Sequence, residues 1–374
     1  MENLTHTLVG LAVAKAGAER ASPYATTVCL IAANAPDADI IAALDGWCTY
    51  LHHHRGITHS VVGTLALALL IPILFWGGDR LLARLHQRAP RARLRGLALA
   101  SLLACVTHPL LDWTNNYGVR PWLPFDDRWY YGDLVFIVDP YLWLILGSAG
   151  FLLASRTAWQ KAFWIALALA LTTLIWAVPA RERFDLPLTT RLIWLAGLAA
   201  IAWGAKTRVA ERWGSKLAIG ALVVVALYWV TLSIFHGAAT ERARVRAHQI
   251  ARGERVERMA VMPTLANPTQ WRVVFETESA VYRFELSLGE ETTGNESVLR
   301  YERPRGREAE AVARAADEDR CARIFLDFAR FPVAQVSFDC PRRILVRLAD
   351  LRYAEPSGGR NFTLDAELPC AAHR

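Results

Sequence analysis

The chain has 374 residues, 53% of them hydrophobic, with 14 Trp and a mean hydropathy of +0.20. Such an apolar excess, gathered into long uncharged runs, excludes a disordered chain and an ordinary string of soluble domains. The net charge of +7 is no signature of nucleic acid, because the basic residues sit in short loops between apolar runs, where they act as a topology signal.

Two short apolar stretches, 4–18 and 22–36, open the chain. No Lys or Arg precedes the first and no small-residue cleavage site closes it, so a secretory leader is not expected. Uncharged runs follow at 60–78, 134–154 (broken by Asp139), 162–180 and 217–236, with shorter ones at 96–111 and 192–205. Runs of about 18 or more apolar residues read as spanning helices. The loop 79–95 carries six Arg against Asp79, and the loops 155–161 and 205–216 are also basic. Lys and Arg beside spans mark the cytoplasmic side, which leaves 37–57, 113–133, 181–187 and both termini outside. The expected fold is therefore mainly α: a polytopic membrane bundle of about eight hydrophobic segments over 1–238, in an inner (plasma) membrane.

Beyond it, 239–374 reads as a small soluble α+β domain on the outer face. Residues 239–258 form a basic helical stretch and 306–318 a second helix. "WRVVFETE", "AVYRFELSL", "SVLRYERP", "VAQVSFDC" and "RRILVRLADLRYA" alternate as strands of a mainly antiparallel sheet. Three cysteines, Cys321, Cys340 and Cys370, lie here without paired CxxC spacing. A zinc ribbon is not expected, and a Cys321–Cys340 bridge is the pairing expected in an oxidising compartment.

Four motifs carry polar groups to the outer ends of the first apolar segments: "NLTHTLVG", "NAPDADI", "HHHRGITHS" and "THPLLDWTNNYG". They supply His6, Asp37, Asp39, His53, His54, His59, His108 and Asp112 as candidate metal ligands. His108 and Asp112 are spaced i, i+4 and share one helix face. Imidazole with carboxylate suits Zn, Mn or Fe rather than thiol-seeking ions, and so many ligands could serve one to three divalent ions. Asp39, Arg55 and Asp139 are the candidate catalytic residues. Arg55 could hold a phosphate oxygen, while Asp139, inside an apolar run, could be a further ligand, a partner to a ligand histidine, or a general base. The structural alternatives are a lipid-headgroup anchor for Arg55, pairing with a Tyr or Trp for Asp139, and simple solvation for His52 and His53. Thr58 and Ser60 are positioned to cap the following helix.

At these motifs the chain resembles the YdjM-type family of inner-membrane metal-dependent hydrolases. That family is described as LexA-binding and is grouped with zinc-dependent phospholipase C and P1-nuclease-like enzymes. The resemblance covers about residues 1–240 and implies His6, Asp37, Asp39, His54, His59, His108 and Asp112 as metal-site residues. The chain departs from the phospholipase C pattern in being membrane-embedded and in lacking a mature N-terminal Trp. The function so implied is hydrolysis of a lipid or lipid-linked phosphoester by metal-activated water, with membrane lipid rather than nucleic acid as partner. The alternatives are a non-enzymatic metal-binding membrane protein with a regulatory protein partner and, third, an ion transporter.

Overall fold

The computed structural model describes residues 1–182, 186–289, 297–340, 342–356 and 362–370. The loop 181–187 therefore lies partly outside the described residues.

The chain opens with α1 (Asn3–Lys15), a 3-10 turn, α2 (Ala25–Ala32) and a 3-10 segment over Ala35–Asp45. Next come α3 (Trp47–His53), a 3-10 turn over Ile57–His59, α4 (Val61–Leu85) and α5 (Leu94–Trp113). The helices α6 (Pro140–Ala154), α7 (Ala158–Glu182), α8 (Leu188–Lys206), α9 (Val209–Trp213) and α10 (Ser215–Ala251) complete the helical region. Two compact units divide the chain: the first holds Met1–Asp39, Arg55–Phe235 and Pro263–Pro268, the second Ile40–His54, His236–Met262 and Thr269–Arg374.

Among the described residues five helices are long and apolar enough to cross a membrane: α4, α5, α7, α8 and α10. A sixth crossing arises if α2 and the following 3-10 segment, bent by 46°, count as one span. The expected eight segments thus include fewer full-length spans. With 13 residues α1 reaches only about 20 Å, short of a hydrocarbon core of about 30 Å. Along α4 the buried face is Thr64, Ala68, Ile71 and Pro72, while Leu65, Leu69, Leu70, Ile73 and Leu74 are exposed. An apolar stripe of that size is unfavourable in water and neutral in lipid.

Small side chains bring the helices that carry the polar motifs close together. Ala14, Ala25, Ala32, Ala33, Ala68, Ala100 and Ala104 form much of one core cluster. At Gly10 a Cβ would stand 2.8 Å from the Cys29 carbonyl oxygen, so α1 packs against α2 at backbone distance. The start of α4 is fixed by Ser60, whose hydroxyl accepts from the Gly63 N–H at 3.1 Å and donates to the Ile57 carbonyl at 2.8 Å. This is the capping role its position suggested.

In the second unit β1 (Arg258–Thr264), β2 (Asn267–Glu276), β3 (Ala280–Ser287) and β4 (Leu299–Glu302) form one sheet in that order. After α11 (Arg307–Glu318) and α12 (Arg320–Phe328), strands β5 (Pro332–Asp339), β6 (Arg343–Asp350) and β7 (Thr363–Leu368) form a second antiparallel sheet. Met262, Val274, Phe331 and Leu351 lie in its core. Strands β2 to β6 and the helix at 307–318 fall where the alternation placed them; β1, β7 and α12 were not expected, and two antiparallel sheets take the place of one.

The cysteine pairing differs from the expected Cys321–Cys340 bridge. Cys340 pairs with Cys370, and Cys321 with Cys48. Sheet register gives the reason for the first pair. Asp339 aligns with Arg343 and Ile344 with Leu368, so Cys340 and Cys370 leave the sheet at one edge. Cys321, in the first turn of α12, is then met by Cys48 from α3.

Candidate metal centre

Four ligand-bearing residues meet at one end of the helices. His59 ends the turn before α4, His108 and Asp112 occupy the last turns of α5, and Asp37 follows α2. His59 Nε2 lies 3.1 Å from His108 Nε2, 3.4 Å from Asp37 Oδ1 and 3.2 Å from Asp112 Oδ2. His108 Nε2 is 3.4 Å from Asp37 Oδ1 and 3.5 Å from Asp112 Oδ2. All four ligand atoms lie within 4.8 Å of one another. Corners of a tetrahedron with bonds of about 2.1 Å stand roughly 3.4 Å apart, so the spacing suits a zinc-sized ion.

Tautomers strengthen this fit. His108 Nδ1 is 2.6 Å from the Ala33 carbonyl oxygen, which can only accept, so Nδ1 carries the hydrogen. His59 Nδ1 faces Thr58 Oγ1 at 3.1 Å and the Asp39 carboxylate at 3.4 Å, and the carboxylate calls for a hydrogen there too. In their neutral forms both rings then direct bare Nε2 lone pairs at the same point, together with two carboxylate oxygens. With both Nε2 atoms bare, buried Asp112 Oδ2 has no hydrogen-bond donor among the described residues. Lone pairs so crowded are relieved by a proton or a metal ion between them, and nitrogen and oxygen donors without thiolate are of the kind that could hold Zn, Mn or Fe.

Several of the remaining candidates surround this cluster. His6 stacks on His108 with ring centroids 3.7 Å apart, and its Nε2 is 3.4 Å from Asp112 Oδ1. Neither His6 ring nitrogen makes a hydrogen bond among the described residues. Asp39 stands behind His59 and accepts the Arg55 backbone N–H at 2.9 Å. Buried Arg55 turns its fork onto Asp112 Oδ1 at 3.0 Å, Asn115 Oδ1 at 2.9 Å and the Gly118 carbonyl at 3.3 Å, with its guanidinium over the Tyr117 ring. The guanidinium is thus placed to hold a ligand in position, and much of its donor capacity is already used. The Met1 amino group also contacts Asp112 Oδ1.

His53 is exposed on α3 in edge contact with His52. His54 follows α3 in the second unit and stacks on Tyr50. Asp139 caps α6: Oδ1 accepts from Tyr141 N at 2.7 Å and Leu142 N at 3.2 Å, and Oδ2 from the Tyr228 hydroxyl at 2.9 Å. Its carboxylate is committed to the pairing that was its structural alternative.

Two supporting residues escaped the sequence reading. Asn115 is fully buried and takes both the Arg55 guanidinium and the Tyr117 N–H. Glu2 caps α1 and accepts the Trp143 indole N–H. The doubled Asn in "DWTNNYG" was the available signal for the first. Glu2 left none, because its partner lies 141 residues away.

The uncharacterized protein YfhP of Bacillus subtilis (strain 168) is 29% identical over 152 residues, which are 38% of this chain and 43% of that protein. The match spans less than half the length of that relative. No solved structure matches the chain. Residues 1–184, the segment that holds all four ligands, match the YdjM inner membrane protein family, in keeping with a multi-pass membrane protein.

Proposed function

We propose that the chain is an integral-membrane metal-dependent hydrolase acting on a phosphoester, a lipid or lipid-linked phosphate. The observation that carries this reading is the pair of Nε2 atoms of His59 and His108, 3.1 Å apart between Asp37 and Asp112. When bound, a divalent ion supplies Lewis acidity and acidifies a water at neutral pH. The chain holds the donors: Ala33 and Asp39 fix the two rings, and Arg55 fixes Asp112. Asp37, with its side chain 15% exposed, is the open side of the cluster, from which a headgroup approaches while its acyl chain remains in lipid. His6 stacks on His108 beside the cluster, with its Nε2 turned to Asp112. Two disulfides in the second unit favour an oxidising location for that unit, in line with an outer-face site.

Burial favours a second reading, an ion that organises the bundle without turnover. His59 and His108 are fully buried, and closed four-ligand sites are characteristically structural. Metal content and hydrolysis of a phospholipid and polyprenyl-phosphate panel, measured on the full chain in detergent, separate the two. The hydrolase reading expects bound Zn, Mn or Fe together with turnover, both lost in His59→Ala. Bound metal with no turnover across the panel supports the structural ion, and a metal-free wild-type protein overturns both.

A further inference from the structure

At the other end of α1 and α6 lies a cavity of about 700 Å³ that has no part in the metal centre. Five cationic side chains line it, Lys15, Arg20, Arg156, Lys161 and Arg208, against two carboxylates, Glu19 and Glu211. Both carboxylates are already engaged, Glu19 by Lys15 at 2.6 Å and Glu211 by Arg208 at 3.9 Å. Arg20, Arg156 and Lys161 form no ion pair among the described residues, although they face one basin. Such a concentration of exposed like charge attracts anions.

The walls say what kind of anion. Phe151, Leu152 and Leu153 line the same cavity, so cations and apolar surface meet within it. Around it, Trp159 at the start of α7, Trp203 near the end of α8 and Trp213 at the end of α9 are 83%, 67% and 58% exposed. Exposed Trp at span ends settles at headgroup depth, which puts the basin where lipid phosphates lie. It is also on the side that the basic loops assign to the cytoplasm, where anionic lipids are attracted by clustered Lys and Arg.

We propose that this basin binds the phosphate of an anionic phospholipid headgroup, with Arg20, Arg156 and Lys161 as its ligands and the Phe151–Leu153 wall against the first acyl carbons. The site is independent of the metal centre and of whether that centre turns over substrate.

The test is a titration of the full chain in mixed micelles with phosphatidylglycerol and with phosphatidylcholine. Wild-type protein is expected to prefer phosphatidylglycerol. The triple variant Arg20→Gln, Arg156→Gln, Lys161→Gln is expected to weaken that binding about a hundredfold, since each cation beside an anionic headgroup contributes roughly fivefold. A control, Arg91→Gln with Arg95→Gln in the basic loop of the same face but outside the basin, is expected to weaken binding far less than the triple variant. Circular dichroism checks that the variants remain helical, and the single reversal Lys161→Glu is expected to weaken binding in the same direction. Equal affinity for the two lipids, unchanged binding by the triple variant, or equal loss in the control overturns the site. Displacement of phosphatidylglycerol by millimolar inorganic phosphate identifies a soluble phosphate as the source and overturns the lipid assignment.

Discussion

A carboxylate behind an imidazole fixes the ring and raises its basicity as a ligand. Asp39 stands in that position behind His59, 3.4 Å from Nδ1. Asp39→Asn keeps the size of the side chain and removes its charge. Metal affinity is expected to fall about 10–100-fold, read by competition against a calibrated chelator, with helicity unchanged; undiminished affinity would show that Asp39 does not tune His59. The cluster itself was legible at this scale because His59, His108, Asp37 and Asp112 stand in short motifs at the ends of apolar runs. What surrounds them was less so. His53 attracted attention by belonging to a run of three histidines, yet α3 leaves it in solvent. The acceptors that Arg55 uses, Asn115 Oδ1 and the Gly118 carbonyl, sit in a loop about 60 residues away, where no local pattern marks them.

Among the elements, the first turn of α4 carries the most exacting requirement. A Cβ at Gly63 would stand 1.8 Å from the Ile57 carbonyl oxygen, so the turn bearing His59 lies against bare backbone. Gly63→Ala must push that turn away. A displacement of this kind costs on the order of 1–3 kcal/mol and removes His59 from its partners. The expected result is a helical protein with much reduced bound metal; full metal content would show that the turn can shift without moving the ring. Sequence periodicity located the helices and strands because burial of one face dictates it. It could not fix how many apolar segments reach across the bilayer, since α1 stops at Lys15, before Gly17 at positive φ, and α6 starts only at the Asp139 cap and Pro140. The disulfides were hidden for a similar reason. Proximity in sequence favoured Cys321–Cys340, whereas strand register paired Cys340 with Cys370.

At the scale of the whole molecule, α10 is one uninterrupted helix. Its 37 residues extend about 55 Å, well beyond a hydrocarbon core of about 30 Å, so its charged C-terminal part, with Arg242, Arg244 and Arg246, runs outside the bilayer. The cysteines report the side. In non-reduced protein, Cys48, Cys321, Cys340 and Cys370 are expected to resist alkylation, leaving only Cys29 and Cys105 to react after denaturation. Peptide mapping by mass spectrometry checks this, and four further labelled thiols in membranes isolated without reductant would place the second unit in a reducing compartment.

The Cys48–Cys321 bridge joins residues 273 positions apart, and this sets an order of events during synthesis. At roughly 5–20 residues per second the second cysteine emerges roughly 14–55 s after the first. The segment Ile40–His54 begins and ends at Asp39 and Arg55, which are already tied to each other by a hydrogen bond. Its two roots can therefore close early, while Cys48 waits for a partner made in the last quarter of translation. A ribosome-bound chain would carry an unsealed loop long after all four residues of the cluster had been made, and the final domain would complete a segment laid down near the beginning.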